Sequence, residues 1–600
     1  MKIVFGLYTE ISPSSPVPAF TRALSLIYEP VLAFSYNNPE HKISLYQSSA
    51  MMKHIFSQRT DIRSLMVTLA KREDIAFISG SYSQSILSLL PPKDRLSQIE
   101  RMNSMIRHDY GVTAKTAFFY GQIWSPIYIS AMKNALIDNV IISGYKATSK
   151  ESLSKESFVM NELGKRVNVY IIDDSASELV SAFAQGEIDL SGLREGLYKI
   201  CEKSTHDKII FLNADQLIEG ATRNGEEDQL GSFITDFLSY HKDSLVLPEE
   251  LKINKLGYLD SGWYSRDAYA SGLSSFNDIF VRNENFRYLF NRYISLAEGS
   301  QGGRGNKYAK KEISRYLFSI GTGPLFIHDA LCTPLRTASR RQFWANIIDA
   351  EDSVYRETES TMYKEYDLEE CGENCFFSSN KDYIAVISPL GAAVTEFDYK
   401  RFSINILDTR VPFAKGFENV RLKKSFSDTI LIDGKSYSTE GMLFDAEIVD
   451  KKRSEFLFTL SDESLPFTII KHYKLRSSTF ILDVTLISSD GEILEGEYQS
   501  EVYLEGVGFE LVGAELKRTM LTDRKISAKT VKFSSATPSM QAVFSSTSQF
   551  TLEEEPEWQS QYTSLGYEDF CLFKRLRFTF PLSDESAASS FRLVLRASEL

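Results

Sequence analysis

The first 260 residues alternate short runs of β-branched and aromatic residues with amphipathic stretches, and that alternation constrains the fold more than any other feature. The apolar runs are Lys2 to Leu7, Ile43 to Tyr46, Ile75 to Ile78, Ala117 to Tyr120, Val140 to Ile142, Val169 to Ile172 and Ile209 to Leu212. Each is short and continuous, as expected of a strand buried on both faces. Between them, Ile62, Leu65, Met66 and Leu69 recur at i, i+3, i+4 and i+7, and Ile99, Met102 and Ile106 follow the same period, marking helices with one apolar face. Such a βα alternation predicts a parallel-stranded α/β region, and its length favours a barrel over an open sheet.

Downstream the pattern changes twice. From about Ser274 to Tyr355 the apolar residues Phe276, Ile279, Phe280, Phe286, Leu289, Phe290 and Tyr293 fall at helical spacings. The glycine-rich run from Glu298 to Gly305 follows a helix and lacks the Gly-Lys-Ser/Thr ending of a phosphate loop, so it reads as a connector. Between Glu351 and Glu373 nine acidic residues face two basic ones, which suits a solvated linker. After Phe376 the period becomes two, as in Leu576, Phe578 and Phe580, and Asp-Gly pairs at 433 to 434 and 490 to 491 supply hairpin turns. The expected organisation is an α/β barrel over 1–270, a helical middle domain over 271–355, an acidic linker over 356–376 and an all-β sandwich over 377–600.

Composition removes several functions. With 80 acidic against 67 basic residues and no basic stripe, nucleic acid is not an expected partner. No apolar run approaches the ~20 residues needed to span a bilayer, and the apolar start is broken too early for a signal peptide, so a soluble, cytoplasmic protein without membrane contact is expected. Five cysteines form no disulfide framework. Cys371 and Cys375 have half of a metal-site spacing but no second pair nearby, so neither a metal nor another cofactor is expected.

In a barrel the chemistry lies at the C-terminal ends of the strands. Here those ends carry Tyr8-Thr9-Glu10, Ser81-Tyr82-Ser83, Tyr120-Gly121-Gln122-Ile123-Trp124, Gly144-Tyr145 and Asn213-Ala214-Asp215. All seven histidines fall elsewhere, so neither a Ser-His-Asp triad nor a histidine metal site can be assembled.

Two of these ends lie in a longer pattern. Gly80-Ser-Tyr-Ser, running on into Pro92-Lys-Asp-Arg-Leu-Ser-Gln-Ile-Glu100, is followed by Ala114-Lys-Thr-Ala-Phe-Phe-Tyr-Gly-Gln-Ile-Trp-Ser-Pro126. The pair resembles glycoside hydrolase family 57, of the 4-α-glucanotransferase and α-amylase type, where the corresponding stretches read G-F-Y-E-P…P-x-E-D-R-L-x-Q-I-E and W-L-T-E-R-V-W-x-P at similar spacing. The resemblance implies an incomplete (β/α)7 barrel, a helical middle domain ending near Phe343-Trp-Ala-Asn-Ile-Ile-Asp349 and a C-terminal β-sandwich. The implied ligand is an α-glucan or maltooligosaccharide.

The departures from the family pattern fall where the family keeps its chemistry. Gly121 stands at the nucleophilic glutamate and Gln122 at the arginine that follows it, while Trp124 keeps the closing tryptophan. Tyr8, Glu10 and Ser12 replace the two histidines and the proline of the family's H-N-H-Q-P motif, and Ser83 replaces the glutamate of G-F-Y-E-P. Aligned on Phe211, Ala214 takes the acid/base position and Asp215 lies one residue beyond, on the opposite face if the strand continues. Retaining glycoside transfer needs two carboxylates ~5–5.5 Å apart. Glu10, Asp215 and Glu219 are the acids that can be placed near this rim, and a rebuilt pair requires Glu10 to reach across the barrel mouth. Trp124 and Tyr82 are the candidate sugar platforms, beside Tyr120 and Tyr145, because an aromatic ring offers apolar surface with a polar handle; core packing is the alternative for each. Packing is also the expectation for Trp558.

Three readings remain open on the sequence: a catalytically degenerate pseudoenzyme binding an α-glucan or a protein partner, an active glucanotransferase or hydrolase with relocated carboxylates, and a structural protein with no sugar site.

Overall fold

The computed structural model describes residues 1–143, 157–204, 206–264, 277–302, 307–320, 322–358, 361–411, 421–477, 479–506, 508–514, 525–583 and 585–600. Tyr145 and Phe276 lie outside them. The strands of the first region are β1 (Ile3–Thr9), β2 (Ile43–Gln47), β3 (Ile75–Ile78), β4 (Thr116–Phe118), β5 (Ile123–Trp124), β6 (Asn139–Ser143), β7 (Phe158–Glu162), β8 (Lys165–Ile172), β9 (Lys208–Asn213) and β10 (Gly262–Trp263).

Seven of these make the barrel. One parallel sheet runs β3-β2-β1-β9 and another carries β4, β6 and β8 in parallel, with β7 added antiparallel at its edge. Backbone hydrogen bonds close both seams: Ser79 N to Thr116 O and Phe118 N to Ser79 O, each 2.8 Å, join β3 to β4, and Asp173 N to Ile209 O at 2.9 Å joins β8 to β9. Val4, Tyr46, Ile78, Phe118, Ile141, Tyr170, Ile209 and Phe211 point inward and pack on one another. The alternate residues of β1, Ile3, Phe5 and Leu7, face the outer helices, as a period of two requires.

Local signals set the helices. In Thr60–Lys71 the buried residues Ile62, Met66 and Leu69 form the inner face. Asp189 caps Leu190–Glu202 by accepting from Gly192 N at 2.8 Å, and Asn213 caps Ala214–Asn224 by accepting from Asp215 N and Gln216 N. The hairpin β7–β8, absent from the sequence expectation, turns through Leu163 and Gly164, both at positive φ.

Helices Asp278–Arg282, Glu284–Gly302, Lys307–Ser319, Thr322–Phe326 and Thr337–Thr358 follow. The helix through the glycine-rich run reaches Gly302, and 303–306 are outside the described residues. The acidic stretch 356–376 is not an open linker: Met362–Tyr366 pairs antiparallel with Cys375–Ser379, and Leu368 and Cys375 are buried. Its charge is absorbed in part by partners such as Lys424, 2.7 Å from Glu369.

The rest is a five-stranded sheet packed on a larger antiparallel sheet, with a core that includes Phe397, Ile430, Phe458, Phe480 and Leu576. Asp433 and Gly434 form the expected hairpin turn, both at positive φ. One long hairpin, Ser539–Thr563 with Gly566–Pro581, reaches back to the middle helices and the barrel's outer helix Ala214–Asn224. There Ser564 N donates to Ala330 O at 2.8 Å, Arg223 lies 4.0 Å over the Tyr562 ring, and Arg336 pairs with Glu568 at 2.6 Å. Among the described residues no helix is long and apolar enough to cross a membrane.

Candidate functional site at the barrel mouth

The strand β4 ends at Phe118, two residues before the end expected from sequence. Its continuation is a tight turn over Tyr120–Gln122 with Gly121 at φ 65° and Gln122 at φ 60°. The turn is pinned from both sides: Trp263 Nε1 donates to Gly121 O at 2.8 Å, Tyr264 N to Gln122 O at 3.0 Å, and Gln122 Oε1 accepts from Ser143 N at 2.8 Å. Gly121 therefore stands at the mouth with no side chain to contribute, and Ile327 Cδ1 lies 2.4 Å from where its Cβ would be.

Ile327 arrives on the segment after the short helix Thr322–Phe326. Gly323 permits that approach, because a Cβ there would overlap both Gln84 O and the Tyr120 ring, and Gly323 N donates to Gln84 O at 3.0 Å. Two residues on, Asp329 accepts from Leu331 N at 3.0 Å and Thr333 N at 2.9 Å through Oδ1, and from the Tyr120 hydroxyl at 3.4 Å through Oδ2. Asp329 belongs to no motif near the strand ends, so only the packing of the middle helices on the mouth brings it there.

Beneath this segment lie the two acids singled out above. Glu10 and Asp215 follow the adjacent strands β1 and β9, and Glu10 N donates to Asp215 Oδ2 at 2.7 Å. The opposite-face expectation for Asp215 does not hold. β9 stops at Asn213, so Asp215 sits in the first turn of a helix, where strand alternation no longer sets its direction. Ala214 is fully buried and lies in the core between barrel and outer helices. The Glu10 side chain does reach across the mouth, where Gly121 N donates to its Oε1 at 3.3 Å. Glu219 turns aside to pair with Arg223 at 3.4 Å.

The electrostatics follow from this enclosure. Asp215 is 6% exposed, and Glu10 keeps some accessible surface but holds its carboxyl among protein groups. Burial pushes Glu10 up to about 8, against the Gly121 N–H that favours its charge, and Asp215 and Asp329 add repulsion. Burial likewise pushes Asp215 up to about 7, opposed by the Glu10 N–H and reinforced by Asp329. Among the described residues no Lys or Arg pairs with either. The buried Tyr46 hydroxyl has no hydrogen-bond partner among them, and the Glu10 charge acts on it.

The aromatic candidates divide. Trp124 is not a platform: it is 1% exposed, donates through Nε1 to Leu259 O at 3.1 Å and packs edge-on against Tyr128. Tyr120 is equally enclosed. Tyr82 lines a cavity of about 290 Å³ beside the mouth, together with Ser12, Ser49, Lys53, Ser339 and Gln342. Its ring is engaged by Lys53 at 4.9 Å and Arg101 at 5.5 Å. Trp558, expected to pack, is 57% exposed on the long hairpin. No group of three or more His, Cys, Asp or Glu among the described residues could hold a metal ion.

Residues 9–198 match the model of glycosyl hydrolase family 57. This region belongs to that family. Over a longer span the chain is 22% identical to a 4-α-glucanotransferase of Thermococcus kodakarensis, across 568 residues that cover 88% of this chain and 83% of the relative. It is 25% identical to α-amylase 1 of Dictyoglomus thermophilum over 154 residues, 25% of this chain and 22% of that protein. The crystal structure of 4-α-glucanotransferase from Thermococcus litoralis superposes with a TM-score of 0.77 at 16% identity, covering 100% of this chain and 99% of that one. The fold of that protein, barrel to sandwich, is thus present along the whole chain.

Proposed function

We propose that this chain is a catalytically silent family 57 protein that binds an α-glucan beside a sealed barrel mouth. The observation carrying the proposal is that Gly121 brings no side chain to the mouth, where Ile327 Cδ1 lies 2.4 Å from the place its Cβ would take. Retaining transfer requires a sugar between two carboxylates ~5–5.5 Å apart. Here Asp215 is bound to the Glu10 backbone, the Glu10 carboxyl is bound to Gly121 N, and the segment carrying Ile327 and Asp329 packs over Tyr120. The ligand class comes from the relatives, named as glucanotransferases and amylases. Its seat is the adjoining cavity, whose serine hydroxyls and Gln342 and Asn346 amides can meet sugar hydroxyls around the apolar Pro13, Pro324 and Phe343.

A second reading, relocated catalysis, is favoured by one observation: two neighbouring carboxyls raised to about 8 and about 7, the range of working acid/base groups. Both are tested by incubating the protein with maltoheptaose at pH 5 to 8 for a day, following chain length, and by electrophoresis through gels containing amylose. The expected result is retardation by amylose, weakened in Gln342→Ala, with no change in chain length. Chain redistribution that disappears in Glu10→Gln would establish the second reading. Migration unaffected by amylose would remove glucan binding.

A further inference from the structure

The cavity beside the mouth has an electrostatic character unlike the rest of the chain. The protein carries a net charge of −13, yet no Asp or Glu lines this cavity. Its one charged lining residue is Lys53, whose ammonium group rests on the Tyr82 ring at 4.9 Å and has no carboxylate partner among the described residues. Arg101 approaches the same ring at 5.5 Å and likewise makes no ion pair with them. Two unneutralised cations thus stand at one rim.

The lining supplies what a phosphoryl group needs beyond charge. Ser49, four residues before Lys53 on the helix Ser49–Gln58, shares its face. It is 3% exposed, lines the cavity, and its hydroxyl has no hydrogen-bond partner among the described residues. A ligand acceptor in the cavity can therefore take a hydrogen bond from it. Across the cavity Ser14 and Ser339 bond to each other at 2.8 Å, and Ser12 bonds to Ser14 at 2.9 Å. This hydroxyl chain can turn its terminal O–H toward an acceptor. A neutral glucan would leave Lys53 unpaired, whereas a phosphomonoester pairs with it and accepts several donors at once.

We infer that the cavity binds a phosphorylated sugar, with Lys53 and Ser49 holding the phosphoryl group and Ser12, Ser14, Ser339 and Gln342 meeting the sugar hydroxyls. The inference rests on the cavity being the sugar site and adds the charge of its ligand. Two sources share this chemistry: a free sugar phosphate, and a phosphoryl group on an α-glucan chain.

The test is titration calorimetry on the full chain with glucose, inorganic phosphate, glucose 6-phosphate, a phosphorylated maltodextrin and the same maltodextrin after phosphatase treatment. The phosphorylated ligands are expected to bind at least tenfold tighter than their neutral counterparts. Lys53→Met, an exposed position, is expected to abolish that difference. Ser49→Ala is expected to weaken the phosphorylated ligands severalfold and more than their neutral counterparts. A gain confined to glucose 6-phosphate assigns the free sugar phosphate, and a gain with phosphomaltodextrin assigns the modified glucan. Equal affinity before and after phosphatase, together with no preference for glucose 6-phosphate over glucose, would overturn the inference while leaving glucan binding intact. An unchanged preference in Lys53→Met would also overturn it. No binding of any sugar would overturn the glucan reading with it.

Discussion

Two groups of buried carboxylates in this molecule have opposite fates. Between the middle helices and the sandwich, Arg292 donates to Glu396 at 2.9 and 2.8 Å and to Glu351 at 3.2 Å, all three residues being almost wholly buried. Burial alone would raise Glu396, but Arg292 outweighs it and holds the carboxyl below its ordinary range. At the mouth, Glu10 and Asp215 each accept from a backbone N–H, with no cation paired to either among the described residues, and burial prevails. The same side chain is an ion in one place and a proton carrier near neutral pH in the other.

The sharpest way to break this contrast is Arg292→Leu. It removes the cation that Glu396 is hydrogen-bonded to and leaves Glu351 only the more distant Lys364, 3.7 Å away, and the expected loss is about 3–5 kcal/mol in urea unfolding at pH 7. A loss below ~1 kcal/mol would mean the network is not what fixes these carboxylates. Next is Gly121→Ala, which forces a side chain into positive φ and against Ile327, with an expected loss of about 2–4 kcal/mol. Adding Ile327→Ala should recover part of it, because the two sites are in contact.

Glu10→Gln has the opposite sign and depends on pH. A carboxyl raised from 4.5 to about 8 keeps its proton in the folded chain after the unfolded chain has released it. The folded state therefore gains relative stability below the unfolded pKa and loses it as pH rises toward 8. Gln cannot ionise and can still accept from Gly121 N, so Glu10→Gln should be neutral near pH 4 and stabilising by about 1–3 kcal/mol at pH 8. Thermal melts across that range would show it, and a variant less stable at pH 8 would mean that Glu10 is compensated as Glu396 is. The smallest effect belongs to Lys53→Met, exposed and without a carboxylate partner among the described residues, expected within ~0.5 kcal/mol of the wild type.

The barrel strands were legible because burial on both faces forces continuous apolar runs, and Ile43 to Tyr46 or Ile209 to Leu212 have no other plausible place. Strand ends were less so. Phe119 and Tyr120 extend the apolar run of β4, yet the chain turns there, since Gly121 and Gln122 adopt positive φ to meet Trp263 and Tyr264. Asp215 was misjudged for a related reason: Asn213 is a helix cap, and a cap overrides the strand period one residue later. Glu10 was found as a residue, but its partners Gly121 and Asp215 were known only as positions. Asp329 and Ile327, which pack on the turn at the mouth, lie in a segment with no local signal and are brought in by helix packing more than 200 residues from β4. Trp124 packs in the core and Trp558 is exposed, which neither sequence position reveals, because an isolated tryptophan does not show which surface covers it.

The most direct measurement is carboxyl footprinting of the native protein with a water-soluble carbodiimide and glycine ethyl ester, read residue by residue by mass spectrometry, with and without maltoheptaose. A sealed mouth leaves Glu10 and Asp215 unmodified under both conditions while exposed acids such as Asp61 and Glu440 react. Labelling of Glu10 or Asp215 at the rate of those surface acids, suppressed by maltoheptaose, would mean that the mouth opens to sugar and that the carboxylates are a working site.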